Sequence, residues 1–334
     1  MPSVGESTRN IAKLVTNGQT VTVTVTDIVS AVGWLGWSCL PSLGAYVAKM
    51  HIILGATGHI GSALSRLLLD RGEPVTVVTR SEDKRAEWEK HGAQVAVVDV
   101  SDVSALQRVF ARGKRALLLN PPAPPSTDTV LEEQKTVRAI LAALRGAELE
   151  RIVAESTYGA QPGAAIGDLG VLYELEQGLR AQAIPTAIIR GAYYMSNWDM
   201  SLDAARSDGR LDTLLPADLV LPMVATADIA RVAARLLTTP VAQTGLYFAE
   251  GPVRYSPSDV AAAFARALGR KVQVATTPQD GWVPMLEQVG FSPAAARSMA
   301  GMTRTVVEQG PELPDNPVRG DTTLDAYISD LVGA

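Results

Sequence analysis

The chain has 334 residues, a formal net charge of -5 at pH 7, and 47% hydrophobic but only 5% aromatic residues. This composition is typical of a packed globular protein, and the absence of a basic stripe argues against nucleic acid as a partner. Cys39 is the only cysteine, which excludes an internal disulfide, and no histidine has a partner at the spacing of a metal site, so we expect no metal.

The first 49 residues differ in pattern from the rest of the chain. Residues 21–25 alternate valine with threonine as a short strand would, but no partner strand is evident nearby. Residues 28–48 carry no charge and could span a bilayer as a helix, yet glycine, serine and proline interrupt them and no basic signal region lies beside them. Met50 then begins an apolar run. We therefore expect residues 1–49 to be disordered or not native, with a short accessory element or a membrane anchor as the alternatives.

From Met50 onward, short apolar runs alternate with amphipathic helical patterns. The apolar runs predict strands at residues 51–54, 74–79, 94–98, 116–119, 151–154 and 186–189. One face of the first helix carries Ile60, Leu64, Leu67 and Leu68, and later helical patterns cover residues 82–91, 103–111, 130–144 and 172–183. These repeated units predict an α/β fold with a doubly wound parallel sheet, whose ligand crevice lies at the carboxyl ends of the strands.

The second half of the chain is less regular. Helical patterns occur near residues 226–237, 256–268, 278–289, 293–307 and 322–331, with strands near 245–249 and 271–275. We interpret these elements as a smaller lobe folded over the crevice. Residues 50–334 are therefore expected to form a single domain, with a C-terminal substrate lobe built mainly from residues 191–222 and 250–334.

A glycine-rich turn between the first strand and the first helix is the strongest functional signal. It reads Gly55-Ala56-Thr57-Gly58-His59-Ile60-Gly61. A turn in this context predicts a Rossmann-type dinucleotide site, because the free amides of the helix N-terminus face the phosphates. Gly55 would allow the tight turn. Gly58 would let the pyrophosphate approach the backbone, and Gly61 would let the helix pack closely on the strand. The expected cofactor contacts at this turn come from Gly55, Thr57, Gly58, His59, Ile60 and Gly61.

The residues after the other strands predict which nicotinamide cofactor binds. Arg80 follows the second strand where NAD-binding proteins carry an acidic residue, and its guanidinium suits a 2'-phosphate. Lys84 adds positive charge, although Glu82 and Asp83 argue the other way, and we expect NADP(H) rather than NAD(H). Strand-end geometry also predicts further cofactor contacts, with the adenine near Asp99 and Val100 and the pyrophosphate and nicotinamide ribose near Asn120 and Pro121.

Several stretches of the chain resemble one family. These stretches are residues 55–61, 118–122, 184–190, 222–230, 251–256 and 323–328. They are similar to the NmrA-like branch of the atypical short-chain dehydrogenase/reductase superfamily, and particularly to its quinone- and azoreductase-like members. The resemblance implies an NAD(P)-binding protein with a small substrate lobe. It leaves catalysis open, because some members of the family are redox-sensing regulators.

The catalytic residues of the broader superfamily are only partly present. That superfamily uses a Ser, a Tyr and a Lys four residues after the Tyr, and the Lys lowers the pKa of the Tyr. Ser156 ends the fifth strand and Tyr173 follows, but Gln177 occupies the position of the Lys and cannot act as a cation. We therefore leave the catalytic residues unassigned, with Ser156, Tyr158 and Tyr173 as candidates, and we favour Tyr173 as a buried helix residue.

A cluster of large side chains is the candidate substrate pocket. Its residues are Tyr158, Tyr193, Tyr194, Met195, Asn197 and Trp198. An acceptor stacked there against the nicotinamide could be reduced mainly through proximity. The alternative is that this cluster only packs beneath the lobe.

These observations predict a cytoplasmic, NADPH-dependent oxidoreductase that reduces a small quinone-like, azo or carbonyl-type acceptor by hydride transfer. The main alternative is a non-catalytic, NADP-sensing regulator that binds a protein partner. A nucleotide-sugar epimerase is less favoured, because that chemistry also needs the Tyr and Lys pair. We expect no membrane partner.

Overall fold

The structure, a computed structural model, describes residues 10–16, 19–24 and 50–333. The chain divides into two units at Val47 and Ala48. In the first unit, Asn10–Thr16 pairs antiparallel with Gln19–Thr24, so the alternating segment has the partner strand that the sequence did not reveal. The uncharged stretch at residues 28–48 lies outside the described residues. Whether residues 1–49 are native stays a prediction.

The described strands are numbered along the chain. They are β1 (Asn10–Thr16), β2 (Gln19–Thr24), β3 (His51–Ile53), β4 (Val75–Thr79), β5 (Gln94–Val97), β6 (Arg115–Leu118), β7 (Arg151–Thr157), β8 (Thr186–Gly191), β9 (Tyr193–Tyr194), β10 (Arg210–Thr213), β11 (Leu221–Val224), β12 (Gly245–Glu250), β13 (Arg254–Tyr255), β14 (Gln273–Thr276) and β15 (Val318–Arg319).

The described α-helices are numbered in the same way. They are α1 (His59–Asp70), α2 (Arg85–Lys90), α3 (Val103–Phe110), α4 (Thr129–Ala143), α5 (Asp168–Arg180), α6 (Leu202–Ser207), α7 (Thr226–Thr238), α8 (Pro257–Leu268), α9 (Trp282–Gln288), α10 (Pro293–Gln309) and α11 (Leu324–Gly333). Three short 3-10 helices, at Glu82–Lys84, Met195–Ser201 and Gln279–Gly281, complete the set for the described part of the chain. Among the described residues, no helix is both long enough and apolar enough to cross a membrane.

The main sheet has eight parallel strands in the order β15-β12-β8-β7-β6-β3-β4-β5. Alternate residues of each strand face opposite helical layers, so Ile53 packs beneath α1 and α7 while Ile52 packs beneath α3, α4 and α5. Strands buried on both faces need continuous apolar runs, which is the pattern that the sequence shows. The predicted doubly wound α/β fold is confirmed.

Two elements assigned to the lobe by sequence belong to the main sheet. Strand β12 pairs with β8, and helix α7 packs against α1 and the same sheet. The cause is the apolar face of α7, where nine residues are buried and fill the layer beside α1. Strand β15 then adds to the sheet edge beside β12, so the chain returns to the sheet after building the lobe.

The lobe has its own core. It contains a three-stranded sheet in the order β13-β11-β9 and a two-stranded sheet of β10 and β14. Helix α8 begins with a capping box in which Ser256 and Asp259 bind each other's backbone amides, and Gly269 ends it in the left-handed conformation. Phe264 of this helix is fully buried with Leu211 of β10 and Ile328 of α11.

Helix α5 begins at Asp168, four residues before the predicted start at residue 172. Gly167 has a φ of +54° and turns the chain into the helix. The Asp168 carboxylate lies in the first turn, where the helix dipole favours negative charge. Because α5 begins at Asp168, this side chain lies at the carboxyl edge of the sheet.

Candidate functional site

The candidate site lies at the carboxyl edge of the main sheet, where the strand order reverses. Strands β3 and β6 are neighbours, with β4 and β5 beyond β3 and with β7 and β8 beyond β6. In open α/β sheets, ligands bind in the crevice that forms at such a reversal. The glycine turn after β3 and the loop after β6 therefore meet at this crevice.

The glycine turn has the geometry that a dinucleotide phosphate needs. Gly55 has a φ of +65°, and a Cβ there would lie 2.9 Å from Cδ2 of Leu119. A Cβ on Gly61 would lie 2.8 Å from Cα of Ala56 and would overlap the carbonyl oxygen of Gly55. The Gly58 N–H donates to the Gly55 carbonyl at 3.0 Å, and helix α1 starts after Gly58 with no side-chain cap. The first amides of α1 thus remain available to an anion, which fits the phosphates of a dinucleotide.

The three other predicted residues of this turn are placed differently from one another. Thr57 and His59 are exposed at the turn, where both can reach a ligand. Ile60 is 4% exposed and its side chain packs in the core between α1 and the sheet, so it can offer a ligand only its backbone amide.

The cationic residues after β4 have different surroundings. Arg80 is exposed at the end of the strand and makes no salt bridge with any residue that the structure describes. Lys84 lies 3.5 Å from a carboxylate oxygen of Glu87 and is partly neutralised by it. Of these two cations, Arg80 is therefore the one without a carboxylate partner among the described residues.

The turn after β5 is closed by its own hydrogen bonds. Asp99 accepts bonds from the Ser101 backbone N–H at 2.9 Å and from the Ser101 hydroxyl at 2.7 Å. These bonds hold the pKa of Asp99 below its usual range, with a smaller contribution from nearby Arg80. Val100 is buried against the core. An adenine here would meet a fixed Asp99 turn rather than a free carboxylate.

The loop after β6 rests on Glu133, an acidic residue that sequence reasoning missed. The Ala123 N–H donates to Oε1 of Glu133 at 2.9 Å, and Nδ2 of Asn120 donates to the Glu133 carbonyl oxygen at 3.4 Å. Oδ1 of Asn120 is buried and has no hydrogen-bond partner in the described ranges. Pro121 is half-buried in the same loop. The loop thus holds a buried acceptor, Oδ1 of Asn120, that no described residue satisfies.

Glu133 and Asp168 form an acidic pair beside this loop. Glu133 is only 6% exposed. Burial, together with the nearby Asp168 carboxylate, raises the pKa of Glu133 to about 8. The only signal in the sequence is that Glu133 lies on the apolar face of α4, where Val137 and Ile140 are also buried.

A second buried acid, Glu155, lies at the end of β7 and was also missed. The Tyr194 hydroxyl donates to Oε1 of Glu155 at 2.9 Å. Glu155 is 4% exposed, and burial raises its pKa to about 8. The pKa of Tyr194 is also raised, first by burial and then by Glu155, so this phenol keeps its proton. Its hydrogen-bond partner is the Glu155 carboxylate, and no cation within the described part of the chain bonds to it.

Ser156, Tyr158 and Tyr173 are not brought together. The Ser156 hydroxyl is buried and donates to Oε1 of Glu176 at 2.7 Å, on the opposite face of β7 from Glu155. Tyr173 is half-buried in the middle of α5, and Gln177 beyond it is exposed. No Ser, Tyr and cation triad forms from these residues.

Tyr158 has a different environment. Its ring lies edge-on to Phe248 with centroids 5.3 Å apart, and its hydroxyl lies 3.4 Å from Oε2 of Glu250. Burial and Glu250 raise the pKa of the Tyr158 phenol, so it remains a neutral donor. Tyr158 and Tyr194 are thus the tyrosines of the predicted pocket that lie at the strand ends.

The remaining residues of the predicted pocket belong to the lobe. Met195 is fully buried and Trp198 is 3% exposed, both within the lobe core. The Tyr193 ring packs on Trp198 with centroids 5.7 Å apart, and burial raises the pKa of Tyr193 to about 12. Asn197 is exposed. Packing beneath the lobe accounts for Tyr193, Met195 and Trp198, because their apolar surface is used in that core.

A charge network covers one side of the crevice. Arg190 at the end of β8 binds the buried Glu176 through Nε at 2.8 Å and Nη2 at 3.0 Å. Its Nη1 binds Glu312 at 3.1 Å, and Glu312 also accepts the Gly159 N–H at 2.8 Å. The segment after α10 is therefore tied to the loops that follow β7 and β8.

Two open cavities, of 510 and 370 Å³, occur elsewhere. Both are lined by residues 182–184, which precede β8, and they lie at the amino edge of the sheet. Ligands of such sheets bind at the carboxyl edge, so these cavities do not define the site. Among the described residues, no group of three or more His, Cys, Asp or Glu is arranged to hold a metal ion.

Comparison with known proteins identifies a relative of this chain and solved structures that share its fold. The chain is 26% identical over 224 residues to an NAD(P)H azoreductase from Xenophilus azovorans, covering 67% of this chain and 76% of that protein. The structure of Citrobacter sp. triphenylmethane reductase complexed with NADP(H) matches with a TM-score of 0.72 at 18% identity, covering 84% of this chain and 99% of that one. An Escherichia coli NADPH-dependent quinone oxidoreductase complexed with NADPH gives a TM-score of 0.65 at 21% identity, with the same coverage of both chains.

The two structural matches share the fold with this chain at low sequence identity. The NmrA-like family profile aligns with residues 48–313, which is more than half of the chain. That span holds the glycine turn, the loop after β6 and most of the lobe. The resemblance noted in the sequence is confirmed, and the chain belongs to the NmrA-like family.

Proposed function

We propose that this protein is an NADPH-dependent oxidoreductase that reduces a small quinone-like, azo or carbonyl-type acceptor. The observation that carries the proposal is the glycine turn at the strand-order reversal, with the uncapped N-terminus of α1 beside it. Bound NADPH would supply a hydride to the acceptor. The similarity to an azoreductase over 76% of that protein supports an enzyme rather than the regulatory alternative.

The preference for NADPH over NADH rests on Arg80. It is exposed beside the crevice, and a planar guanidinium can bind a 2'-phosphate through two hydrogen bonds. Glu82 is bound to Arg85, so it does not compete for Arg80. These contacts support Arg80 as the residue that distinguishes the two cofactors.

The residues around the crevice favour an acceptor that is activated by position alone. The hydroxyls of Tyr158, Tyr194 and Ser156 already donate to Glu250, Glu155 and Glu176, so none of the three is free to polarise a carbonyl. Quinone and azo groups accept hydride readily once they are held against a nicotinamide. Such conjugated acceptors therefore fit the site better than simple ketones do.

Binding measurements on the full chain test this proposal. NADPH and NADH are titrated by nicotinamide fluorescence into wild type, Arg80→Ala and a control, Arg71→Ala, which removes an exposed arginine at the far end of α1. We expect Arg80→Ala to weaken NADPH binding by at least about tenfold, or ~1.4 kcal/mol, with NADH binding and the control unchanged.

Turnover completes the test. Wild type mixed with NADPH and a small quinone or azo dye should oxidise NADPH at a rate that depends on the acceptor. Selective NADP binding without turnover on any acceptor would favour the regulator instead. Absence of any nicotinamide binding would contradict both functions.

A further inference from the structure

The acidic pair of Glu133 and Asp168 lies where the proposed reaction needs a proton source. Glu133 supports the loop after β6 through the Ala123 amide, and this loop borders the crevice beside the glycine turn. Asp168 opens helix α5, and its side chain is within hydrogen-bonding reach of Glu133. Glu133 is buried, whereas Asp168 is exposed to solvent. One acid of the pair therefore lies in the protein interior and the other lies at the solvent-exposed crevice.

The residue that precedes Asp168 is held by helix α10. The preceding residue, Gly167, donates its N–H to the Ser298 hydroxyl of α10 at 2.9 Å. The N-terminus of the same helix is tied to the loop after β6, because the Ser292 N–H donates to the Pro125 carbonyl at 2.9 Å. The first turns of helix α10 therefore contact both the loop after β6 and the residue that precedes Asp168.

Two further polar side chains, Tyr194 and Glu155, lie near the acidic pair. Tyr194 lies close enough to Asp168 for that carboxylate to raise its pKa. Behind Tyr194, Glu155 is 4% exposed, and its Oε2 is buried without a hydrogen-bond partner among the described residues. A buried acid with an unused oxygen is costly unless it is protonated or meets a ligand. Two acids, the buried Glu155 and the exposed Asp168, therefore lie near Tyr194 at the same edge of the sheet.

We infer that Glu133 and Asp168 share one proton and that Asp168 donates it to the reduced acceptor, in place of the missing Tyr and Lys pair. The inference rests on the proposed reductase function. Two neighbouring carboxylates in a site of low polarity cannot both ionise, so the pair retains a proton at neutral pH. Asp168 is the proton donor because it reaches the crevice, and Glu133 is a positioning residue that acts through it.

The proton balance is simple for a quinone. NADPH supplies the hydride and both electrons, the quinone becomes a hydroquinone monoanion, and its oxygen takes the proton from the Asp168 carboxyl. The pair is left with two negative charges and regains a proton from solvent at Asp168. A triarylmethane cation needs only the hydride, because the product is already neutral. The two acceptors therefore differ in whether they need the pair.

The expected pH dependence follows from the groups that face the pair. These are the Ala123 amide and Asn120 from the loop after β6, Asp168 from α5, Tyr194 from β9, and Ser298 from α10 through Gly167. Burial and then the Asp168 carboxylate raise the pKa of Glu133, while the hydrogen bond from the Ala123 N–H lowers it. Quinone reduction should fall as the pH rises through about 8, where the shared proton is lost.

The first test measures the proton directly in the full chain without cofactor. Infrared spectra of wild type, Glu133→Gln and Asp168→Asn are titrated with pH, and the carbonyl band of a protonated carboxyl is followed. Glu174→Gln, which removes an exposed acid of α5 bound to Gln134, is the matched control. We expect part of this band to disappear in each pair variant and to remain in the control. The band of Glu155 is common to all four proteins and cancels in the differences.

The second test compares two acceptors with NADPH. We expect Asp168→Asn to lower kcat for a quinone by ~10²-fold or more, within the usual range for a lost general acid. The kcat for a triarylmethane cation should stay within about twofold of wild type, because no proton is needed. Equal loss on both acceptors, or an unchanged infrared band, would overturn the shared proton while leaving the reductase intact. A wild type that oxidises NADPH with neither acceptor would instead overturn the proposed function, whatever the infrared result.

Discussion

At the scale of single residues, Gly61 is where the glycine turn tolerates a side chain least. A Cβ there would lie 2.7 Å from the carbonyl carbon of Gly55 and 2.8 Å from Cα of Ala56, and both are backbone atoms that cannot rotate away. Gly61→Ala must therefore displace the turn from helix α1. We expect NADPH affinity to fall by more than about tenfold, measured by fluorescence titration.

Gly72 supplies the matched control for this substitution. It also has a positive φ, +74°, but a Cβ there would meet no atom within 4 Å. Gly72→Ala should lose about 1 kcal/mol of stability through backbone strain and keep its NADPH affinity. Equal loss of NADPH affinity in both variants would show that the turn is not the cofactor site.

The residue scale also shows which side chains could be identified in advance. The spacing of Gly55, Gly58 and Gly61 identifies the turn, because a side chain at any of the three would obstruct the tight turn, the phosphate or the packing of the helix. Glu133 and Glu155 carry no such signal, because an acid on an apolar helix face or in a strand is indistinguishable from a solvated one until its neighbours are known. Their raised pKa values arise from burial, which is a tertiary property.

At the scale of elements, two buried arginines hold the end of helix α7. Arg115 begins β6 and donates to the Thr239 carbonyl at 3.0 Å and to the Leu237 carbonyl. Arg151 begins β7, is fully buried, and donates to the Pro240 carbonyl at 2.8 Å and to the Gln243 carbonyl. Cations at a helix C-terminus satisfy carbonyls that have no partner in the helix. These contacts join α7 to the amino edge of the sheet.

Arg151→Met should therefore destabilise the protein. The substitution removes two hydrogen bonds from a charged donor, at ~1.5–3 kcal/mol each, while relief of repulsion from Arg115 offsets part of this cost. We expect a net loss of ~2 kcal/mol in urea denaturation, with NADPH affinity unchanged, since the contact lies at the edge opposite the crevice. The exposed Arg112→Met serves as control, and an equal loss there would contradict the role of the contact.

Element boundaries were predictable where a strong local signal exists. Helix α8 starts beside the predicted residue because Ser256 and Pro257 cap it. Helix α5 starts four residues early because Gly167 initiates it through a positive φ that the sequence pattern did not reveal. The assignment of α7 and β12 to the lobe was wrong, because periodicity shows that a helix has an apolar face without showing which surface receives it.

At the scale of the whole molecule, the larger unit returns to its sheet after building the lobe. Strand β15 pairs with β12, and Glu312 binds Arg190 just before it. We propose that residues 50–334 fold and bind cofactor without the preceding residues, because this unit holds its own cores and a domain with its own core can fold alone.

Removal of residues 1–49 tests that proposal. The shortened protein should melt within about 2 °C of the full chain, a shift that corresponds to less than 1 kcal/mol for a protein of this size. Its NADPH affinity should match that of the full chain in the same titration. A large fall in either quantity would assign the N-terminal residues a structural role in the native protein.

The sequence by itself determined the parallel α/β sheet and the place of the dinucleotide turn, because both follow from local periodicity and from glycines at set spacing. Tertiary structure alone decided that Ser156 is bound to Glu176, that Trp198 packs within the lobe, and that Glu133 meets Asp168 beside the crevice. Each of these depends on residues brought together from different elements. Burial and the pairing of charges then set their chemistry, and neither can be read from the order of residues along the chain.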